Sequence, residues 1–192
     1  MNDSIKIGLK FIWYGLLLYW LISGVGAKKS KNREPILKRF TLYWLPLIVA
    51  GLLLGPGEWF GHTWWRENFV PHTDFVGYTG LAIALAGGII ACWSRYLLGK
   101  NWSVSVQEKE NHVLIKNGLY KYVRHPIYTG LLLLFAGNAL IVGDYRGIVA
   151  VIIVFCAFWY KLKKEEKLLT EIFDSRYLEY KSGTKAIFPY IL

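Results

Sequence analysis

Long apolar stretches constrain this chain of 192 residues more than any other feature of its sequence. Five of them are candidate membrane spans: Ile7 to Ala27, Phe40 to Phe60, Phe75 to Leu98, Ile127 to Gly143 and Tyr145 to Leu162. The first three reach the roughly 20 residues that cross a hydrocarbon core. The last two are near the lower limit of about 17 residues, so they either cross the membrane or form a buried hairpin. We therefore expect an all-α, polytopic membrane protein with about five transmembrane helices.

The composition excludes an ordinary soluble domain, and the distribution of charge predicts an orientation. Hydrophobic residues make up 54% of the chain and nine residues are tryptophans, as expected for a protein surrounded by lipid. Basic residues concentrate in the polar segments that follow the first, third and fifth apolar stretches. The positive-inside rule then places the N-terminus outside and the C-terminus in the cytoplasm. We attribute the net charge of +10 to this topology and to contacts with membrane lipids, and expect no nucleic-acid partner.

The chain divides into two regions. Residues 1–98 hold the first three apolar stretches, whereas residues 99–192 hold a polar loop, the short hairpin and a C-terminal helix. The polar stretch from Gly99 to Tyr122 is long for a small protein, and such loops are more often functional than linking. We expect it to form a lid or wall over a site. Cys92 and Cys156 lie inside apolar stretches without a neighbouring histidine cluster, so no metal site is expected.

Polar residues flank the short hairpin on both sides. Arg124, His125 and Tyr128 stand at its start, and Glu165 and Glu166 follow its end. Two antiparallel helices of similar length return the chain to the side that it left. The hairpin therefore predicts a polar site at one membrane face, built from residues about forty positions apart.

Both flanking segments resemble a known family. The first reads Leu114-Ile115-Lys116-Asn117-Gly118-Leu119-Tyr120-Lys121-Tyr122-Val123-Arg124-His125-Pro126-Ile127-Tyr128-Thr129-Gly130. The second reads Glu165-Glu166-x-x-Leu169-x-x-x-Phe173-x-x-x-Tyr177-x-x-Tyr180 and closes on Thr184 and Pro189. In this order and spacing they resemble the isoprenylcysteine carboxyl methyltransferases and their prokaryotic relatives. The resemblance covers about half of the chain, from Leu98 to Pro189.

The resemblance implies an integral-membrane methyltransferase with a cytoplasmic region that binds S-adenosylmethionine. By similarity, the cofactor contacts are Gln107, His112, Val113, Leu114, Ile115, Tyr120, His125, Pro126, Ile127, Tyr128, Glu165 and Glu166. These residue types suit the cofactor, because carboxylates hold an ammonium and aromatic faces favour a sulfonium. No Gly-x-Gly-x-x-Gly sequence follows a predicted strand, so a Rossmann-type site is not expected.

The implied reaction is methyl transfer to a carboxylate or similar nucleophile of a lipophilic small-molecule or prenylated acceptor. Lys161 stands where the family has an arginine that engages the acceptor carboxylate. It shares a helix face with Glu165, but lysine lacks the bidentate fork of arginine. Arg124 is a possible substitute anchor, so Lys161, Glu165 and Arg124 are the candidate catalytic residues.

Simpler structural interpretations remain open for the same residues. His125 before Pro126 also suits a helix cap, and the two glutamates also suit a solvated helix end. Asn138, in the middle of a span, is typical of a residue that joins helices by hydrogen bonds.

Two other functions are also open. A nicotinamide-dependent membrane sterol or enone reductase has a similar C-terminal layout, but should carry basic residues where this chain has the two glutamates. A channel or exporter is disfavoured, because no span has an ionisable residue at its middle.

Overall fold

The computed structural model describes residues 2–24, 35–99 and 113–189. These residues form six helices: α1 (Asp3–Gly24), α2 (Ile36–Leu53), α3 (Asp74–Leu98), α4 (Pro126–Val142), α5 (Tyr145–Phe173) and α6 (Ser175–Gly183). Short 3-10 turns occupy Gly57–Phe60, Trp64–Arg66 and Gly118–Lys121. Within the described ranges the only β contacts are two isolated bridges. The all-α prediction is therefore confirmed.

Four helices, α1, α2, α3 and α5, are long and apolar enough to cross a membrane, and α4 is a shorter apolar helix of 17 residues. Twelve residues of α4 are buried, because it lies between α3 and α5 at the centre of the bundle. The expectation of about five apolar helices is confirmed, with α4 as the buried short one.

Small residues let α3 and α4 approach each other closely. Gly80, Ala84, Gly87 and Ala91 form a buried stripe on α3. A Cβ added at Gly130 of α4 would lie 2.5 Å from the Ala91 nitrogen, so the two backbones are in direct contact. This is how membrane helices associate where lipid provides no hydrophobic drive between them.

The helices run in alternating directions. The backbone nitrogen of Asn2 donates to Asp74 Oδ1 at 3.0 Å, which places the first residues of α1 and α3 together. At the opposite end, Arg95 donates to the carbonyl oxygens of Ser23 (2.5 Å) and Gly99 (2.8 Å). We call this second end, where α5 carries its glutamates, the Glu165 end, and the first the Asp144 end. The described N- and C-terminal residues therefore lie at opposite ends of the bundle.

Several predicted helix boundaries were wrong. The second span ends at Leu53 rather than Phe60, because Gly55, Pro56 and Gly57 interrupt the helix and the chain continues as a 3-10 turn. The fifth extends eleven residues beyond Leu162 to Phe173, since its polar last turns are held against α6 rather than released into solvent. The third span begins one residue before its predicted start.

The C-terminal segment fixes the start of α4. The backbone nitrogens of Arg124 and His125 donate to Lys185 (2.8 Å) and Ala186 (2.9 Å), and Thr129 Oγ1 donates to the Ile187 carbonyl at 2.6 Å. These bonds hold the first turn of α4 in place although Pro126 has no N–H.

Candidate active site

The two adjacent glutamates of α5 have different surroundings. Glu166 is 3% exposed and is bound by two cations, with Arg124 Nε 2.8 Å from Oε1 and Lys181 Nζ 3.0 Å from Oε2. Arg124 also donates to the carbonyl oxygens of Lys181 and Thr184. Glu166 therefore joins α5 to α6 and to the segment before α4, and it is not a solvated helix end.

Glu165 faces the opposite way, toward α4. Its Oε1 accepts a hydrogen bond from the Tyr128 hydroxyl at 2.8 Å and lies 3.9 Å from Lys161 Nζ, one turn back on the same helix. The Glu165 side chain is 23% exposed, compared with 4% for Glu166. Glu165 is thus oriented by neighbours on both sides while its carboxylate stays accessible.

His125 lies between the two carboxylates. Its Nδ1 is 3.5 Å from Glu165 Oε2 and its Nε2 is 3.6 Å from Glu166 Oε1. The imidazole stacks on the Tyr128 ring, with 5.5 Å between centroids and 16° between planes. His125 is also the residue before the first turn of α4, but its side chain caps no backbone group there. The ring thus belongs to the polar cluster, while the backbone starts the helix.

A cleft of about 640 Å³ opens beside this cluster, within the range of ligand pockets. α1 packs on α3 and α2 packs on α5, and the cleft separates these two outer helices. Leu17 of α1 and Trp44 and Ile48 of α2 line it while about half exposed, so the cleft reaches the outer surface of the bundle between α1 and α2.

The cleft continues along α4 as far as Asn138. Twelve residues separate Asn138 from Pro126, which corresponds to about 18 Å of helix. The Asn138 side chain makes no hydrogen bond to any residue that the structure describes, so it does not join helices as its position suggested. Apart from Asn138, the walls beyond the polar cluster are apolar, with Trp13, Leu47 and Phe135 among them.

Buried tyrosines from outside the hairpin form another side of the cleft. Burial raises the pKa of Tyr120 well above its usual value and that of Tyr180 to about 12, so both hydroxyls stay protonated. Tyr180 donates to the Tyr120 carbonyl at 2.6 Å, and Tyr120 donates to the Ser94 carbonyl at 3.3 Å. Tyr177 also lines the cleft, and its buried hydroxyl has no hydrogen-bond partner among the described residues. Burial raises its pKa too.

The structure brings most of the predicted site residues together. Ten of them line the cleft: Val113, Leu114, Ile115, Tyr120, Arg124, His125, Ile127, Tyr128, Lys161 and Glu165. Pro126 and Glu166 are buried behind this lining. Gln107 and His112 lie outside the described residues, as does most of the predicted lid from Gly99 to Tyr122.

Sequence reasoning missed contributions from two other parts of the chain. Tyr43 of α2 lines the cleft although it precedes the recognised motifs by more than fifty residues. Lys181 of α6 binds Glu166, and only the position of α6 beside α5 shows this. Pro46, three residues after Tyr43, was the one sequence signal near this residue. A proline inside a helix indicates a local distortion, but it does not indicate which side chain the distortion affects.

Known proteins match this chain in sequence and in fold. The model of the phospholipid methyltransferase family matches residues 76–176. Protein-S-isoprenylcysteine O-methyltransferase A of Arabidopsis thaliana is 27% identical over 146 residues, which cover 74% of this chain and 68% of the plant protein. The Saccharomyces cerevisiae protein-S-isoprenylcysteine O-methyltransferase is 30% identical over 115 residues, covering 58% of this chain and 48% of the yeast protein.

A solved structure shows the same fold. The eukaryotic intramembrane Ras methyltransferase, an isoprenylcysteine carboxyl methyltransferase, superposes with a TM-score of 0.67 at 18% identity. The match covers 99% of this chain and 68% of the other. The described helices therefore have the arrangement of the matching part of that protein, which has further sequence beyond the match.

Proposed function

This chain belongs to the phospholipid methyltransferase family, and from that premise we propose that it uses S-adenosylmethionine to methylate a carboxylate on a prenylated, isoprenylcysteine-like acceptor. It is a membrane methyltransferase with the fold of the isoprenylcysteine enzymes. The observation that carries the proposal is a polar cluster, Glu165 with Tyr128 and Lys161, at one end of a long apolar cleft.

The residues at the Glu165 end fit S-adenosylmethionine. The accessible Glu165 carboxylate suits the ammonium of the cofactor, and the hydrogen bond from the Tyr128 hydroxyl fixes the orientation of that carboxylate. One buried polar atom of the cleft lining, the Tyr177 hydroxyl oxygen, lacks a hydrogen-bond partner among the described residues and suits a polar group of a ligand. Leu114 and Ile115 add apolar lining for the adenine. When bound, the cofactor supplies a methyl group on a positively charged sulfur.

The remaining length of the cleft fits the lipophilic part of the acceptor. Its apolar walls extend about 18 Å along α4, long enough for an extended hydrocarbon chain. The opening between α1 and α2 faces the region that lipid occupies, so an acceptor dissolved in the bilayer reaches the cleft without crossing water. The names of the relatives support a prenylated cysteine as the acceptor class.

The protein's contribution to the reaction is to bind, orient and exclude water. An acceptor carboxylate is already ionised at neutral pH, so no residue has to remove a proton from it. Lys161 is the cleft cation closest to Glu165, and it attracts the acceptor carboxylate toward the cofactor end. Arg124 and Glu166 act as positioning residues, since their mutual ion pair sets where His125 and α6 lie. Holding the two reactants in line accounts for the rate.

The distribution of basic residues supports one orientation of this site. Lys161, Lys163, Lys164 and Lys167 lie on α5 near the Glu165 end. By the positive-inside rule that end faces the cytoplasm, where the cofactor is available, and the described N-terminal residues face the other side.

The Glu165→Ala variant tests the cofactor site. Calorimetry of detergent-purified protein should show that wild type binds S-adenosylhomocysteine and does not bind NADPH. Glu165→Ala should weaken that binding by roughly 10- to 150-fold, because a charge-assisted hydrogen bond contributes about 1.5 to 3 kcal/mol.

Glu171→Ala is the matched control, because Glu171 lies on the same helix but outside the cleft lining. It should bind within twofold of wild type. Equal affinity of Glu165→Ala and wild type would remove Glu165 from the site, and binding of NADPH alone would favour a reductase.

A further inference from the structure

The second helix contains a local irregularity beside the cleft. Five residues, Phe40–Trp44, form a π-helical turn within the longer helix α2. Pro46 lies two residues after this turn, and a proline removes one backbone donor and crowds the carbonyl four residues before it. One wider turn accommodates that crowding, and single π turns of this kind are frequent at functional sites. The only buried residue of the turn is Tyr43.

Tyr43 contacts the cationic side of the cleft. The Lys161 ammonium nitrogen lies 5.3 Å from the centroid of the Tyr43 ring and 5.4 Å from that of Tyr128. Both distances are within the reach of a cation–π interaction. Lys161 is therefore held by one aromatic ring from α2 and another from α4, besides the Glu165 carboxylate at 3.9 Å.

A second lysine fixes the Tyr43 side chain itself. Lys164 Nζ donates to the Tyr43 hydroxyl oxygen at 3.2 Å. Lys161 and Lys164 are one helical turn apart on α5, so both face Tyr43. Lys164 contacts the Tyr43 hydroxyl and Lys161 contacts the Tyr43 ring. The contact connects the N-terminal half of the chain, outside the residues that the family model matches, to the centre of the site.

We propose that Tyr43 is a positioning residue for the methyl acceptor, because its ring holds the Lys161 ammonium in the cleft where an acidic group of the acceptor binds. The inference rests on the proposed function. A lysine side chain is a flexible stem that ends in a point charge, unlike the rigid fork of arginine. Two aromatic rings limit the positions of that charge, and this ordering suits a carboxylate that must meet the cofactor in one geometry.

The test separates the tyrosine ring from its hydroxyl. The substrate is an S-prenylated N-acetylcysteine, and the KM for it, kcat and the Kd for S-adenosylhomocysteine are measured in detergent. Tyr43→Leu should raise the acceptor KM by roughly 3- to 10-fold, the range of one partly buried cation–π contact. The Kd for S-adenosylhomocysteine should stay within twofold. Tyr43→Phe keeps the ring and loses the hydrogen bond from Lys164, so its KM should rise less than that of Tyr43→Leu.

Two comparisons show whether Tyr43 acts through Lys161. In a Lys161→Met background, Tyr43→Leu should raise the KM by less than twofold, since interacting residues are not additive. Tyr160→Leu is the matched control, because the Tyr160 ring lies 5.8 Å from Lys164 Nζ and outside the cleft lining. It should leave the acceptor KM unchanged.

The outcomes separate the positioning role of Tyr43 from the proposed function. An unchanged KM in Tyr43→Leu, an equal loss in Tyr43→Phe, or full additivity with Lys161→Met would overturn the positioning role of Tyr43. Wild-type protein that binds neither the acceptor nor S-adenosylhomocysteine would overturn the proposed function, and this inference with it.

Discussion

Each end of the α4–α5 hairpin contains a buried arginine–carboxylate pair, but among the described residues only the Glu165 end has further charged side chains that line the cleft. At the Asp144 end, Arg146 Nε lies 2.9 Å from Asp144 Oδ2. At the Glu165 end, Arg124 Nε lies 2.8 Å from Glu166 Oε1. Both pairs are less than 10% exposed at the side-chain level. The same interaction thus closes both ends of the hairpin.

The difference between the ends lies in what surrounds the pair. Arg146 also donates to the carbonyl oxygens of Leu53 and Gly55, so its pair seals the last turn of α2 against α5. Beside the Arg124–Glu166 pair stands a second carboxylate, Glu165, that faces an open cleft with Lys161. A buried ion pair is therefore no sign of a site. The accessible charge next to it is the informative feature.

The largest expected effect comes from breaking either pair. Asp144→Ala and Glu166→Ala each leave a buried arginine without its carboxylate, which typically costs about 3 to 5 kcal/mol of stability. Thermal denaturation of detergent-purified protein should show a lower midpoint for both variants. The two ends should differ in binding, because only Glu166→Ala releases the α6 contacts beside the cleft. At temperatures below its denaturation midpoint, Asp144→Ala should therefore bind S-adenosylhomocysteine with an affinity within twofold of wild type.

Lys6→Ala is a suitable control for these variants, because it removes an exposed pair with Asp3 and should shift the midpoint very little. A Glu166→Ala protein as stable as wild type would show that Arg124 finds other partners. Weaker binding in Asp144→Ala would mean that the two ends are coupled.

The site was more predictable from sequence than the opposite end of the hairpin. His125, Tyr128 and Glu165 lie near the start and end of the predicted hairpin, and the return of the chain alone predicts their proximity. The contacts of Arg146 with the end of α2 are not encoded by any periodicity, since residues about ninety positions apart meet only when the helices pack. Tyr43 was missed for the same reason, because it meets the site only when α2 packs on α5.

The burial of Glu166 was harder to predict from the sequence than the position of Glu165. Both glutamates lie among lysines, and sequence spacing alone leaves either one pointing outward. Helix α6 folds back and places Lys181 against Glu166. Glu166 is therefore buried in an ion pair, although its sequence position also suits a side chain in solvent. The close contact between α3 and α4 was not predicted, because the small residues of α3 do not identify a partner helix by their pattern alone.

The next effect concerns Lys161, which distinguishes the Glu165 end from its counterpart. Lys161→Met removes the charge at similar length and should lower kcat/KM for an acidic acceptor by roughly tenfold or more, the value of one charge-assisted contact. Lys161→Arg keeps the charge and adds a bidentate fork, so its activity should equal or exceed that of wild type. Both variants should bind S-adenosylhomocysteine nearly as wild type does.

Each alternative for Lys161 gives a different pattern of activity. If the ammonium only extends to lipid headgroups, both substitutions should be mild. If the acceptor is a lipid amine, Lys161→Met should raise turnover by removing like-charge repulsion. Assays of both variants with an S-prenylated N-acetylcysteine and with a phospholipid amine as acceptors distinguish these cases.

The smallest expected effect tests whether the hydrocarbon chain of the acceptor extends along the cleft as far as Asn138, toward the Asp144 end. Asn138 lies about 18 Å along α4 from Pro126, and its amide has no hydrogen bond within the described residues. A hydrocarbon chain that reaches it must displace water from the amide, which costs about 1 to 3 kcal/mol where no partner replaces it. Asn138→Leu should therefore lower the KM for long-chain acceptors by about threefold or more, and leave the KM for acceptors too short to reach it unchanged. Equal KM changes for long and short acceptors would place the end of the acceptor chain elsewhere, and the apolar cleft beyond Phe135 would then be a feature of packing alone.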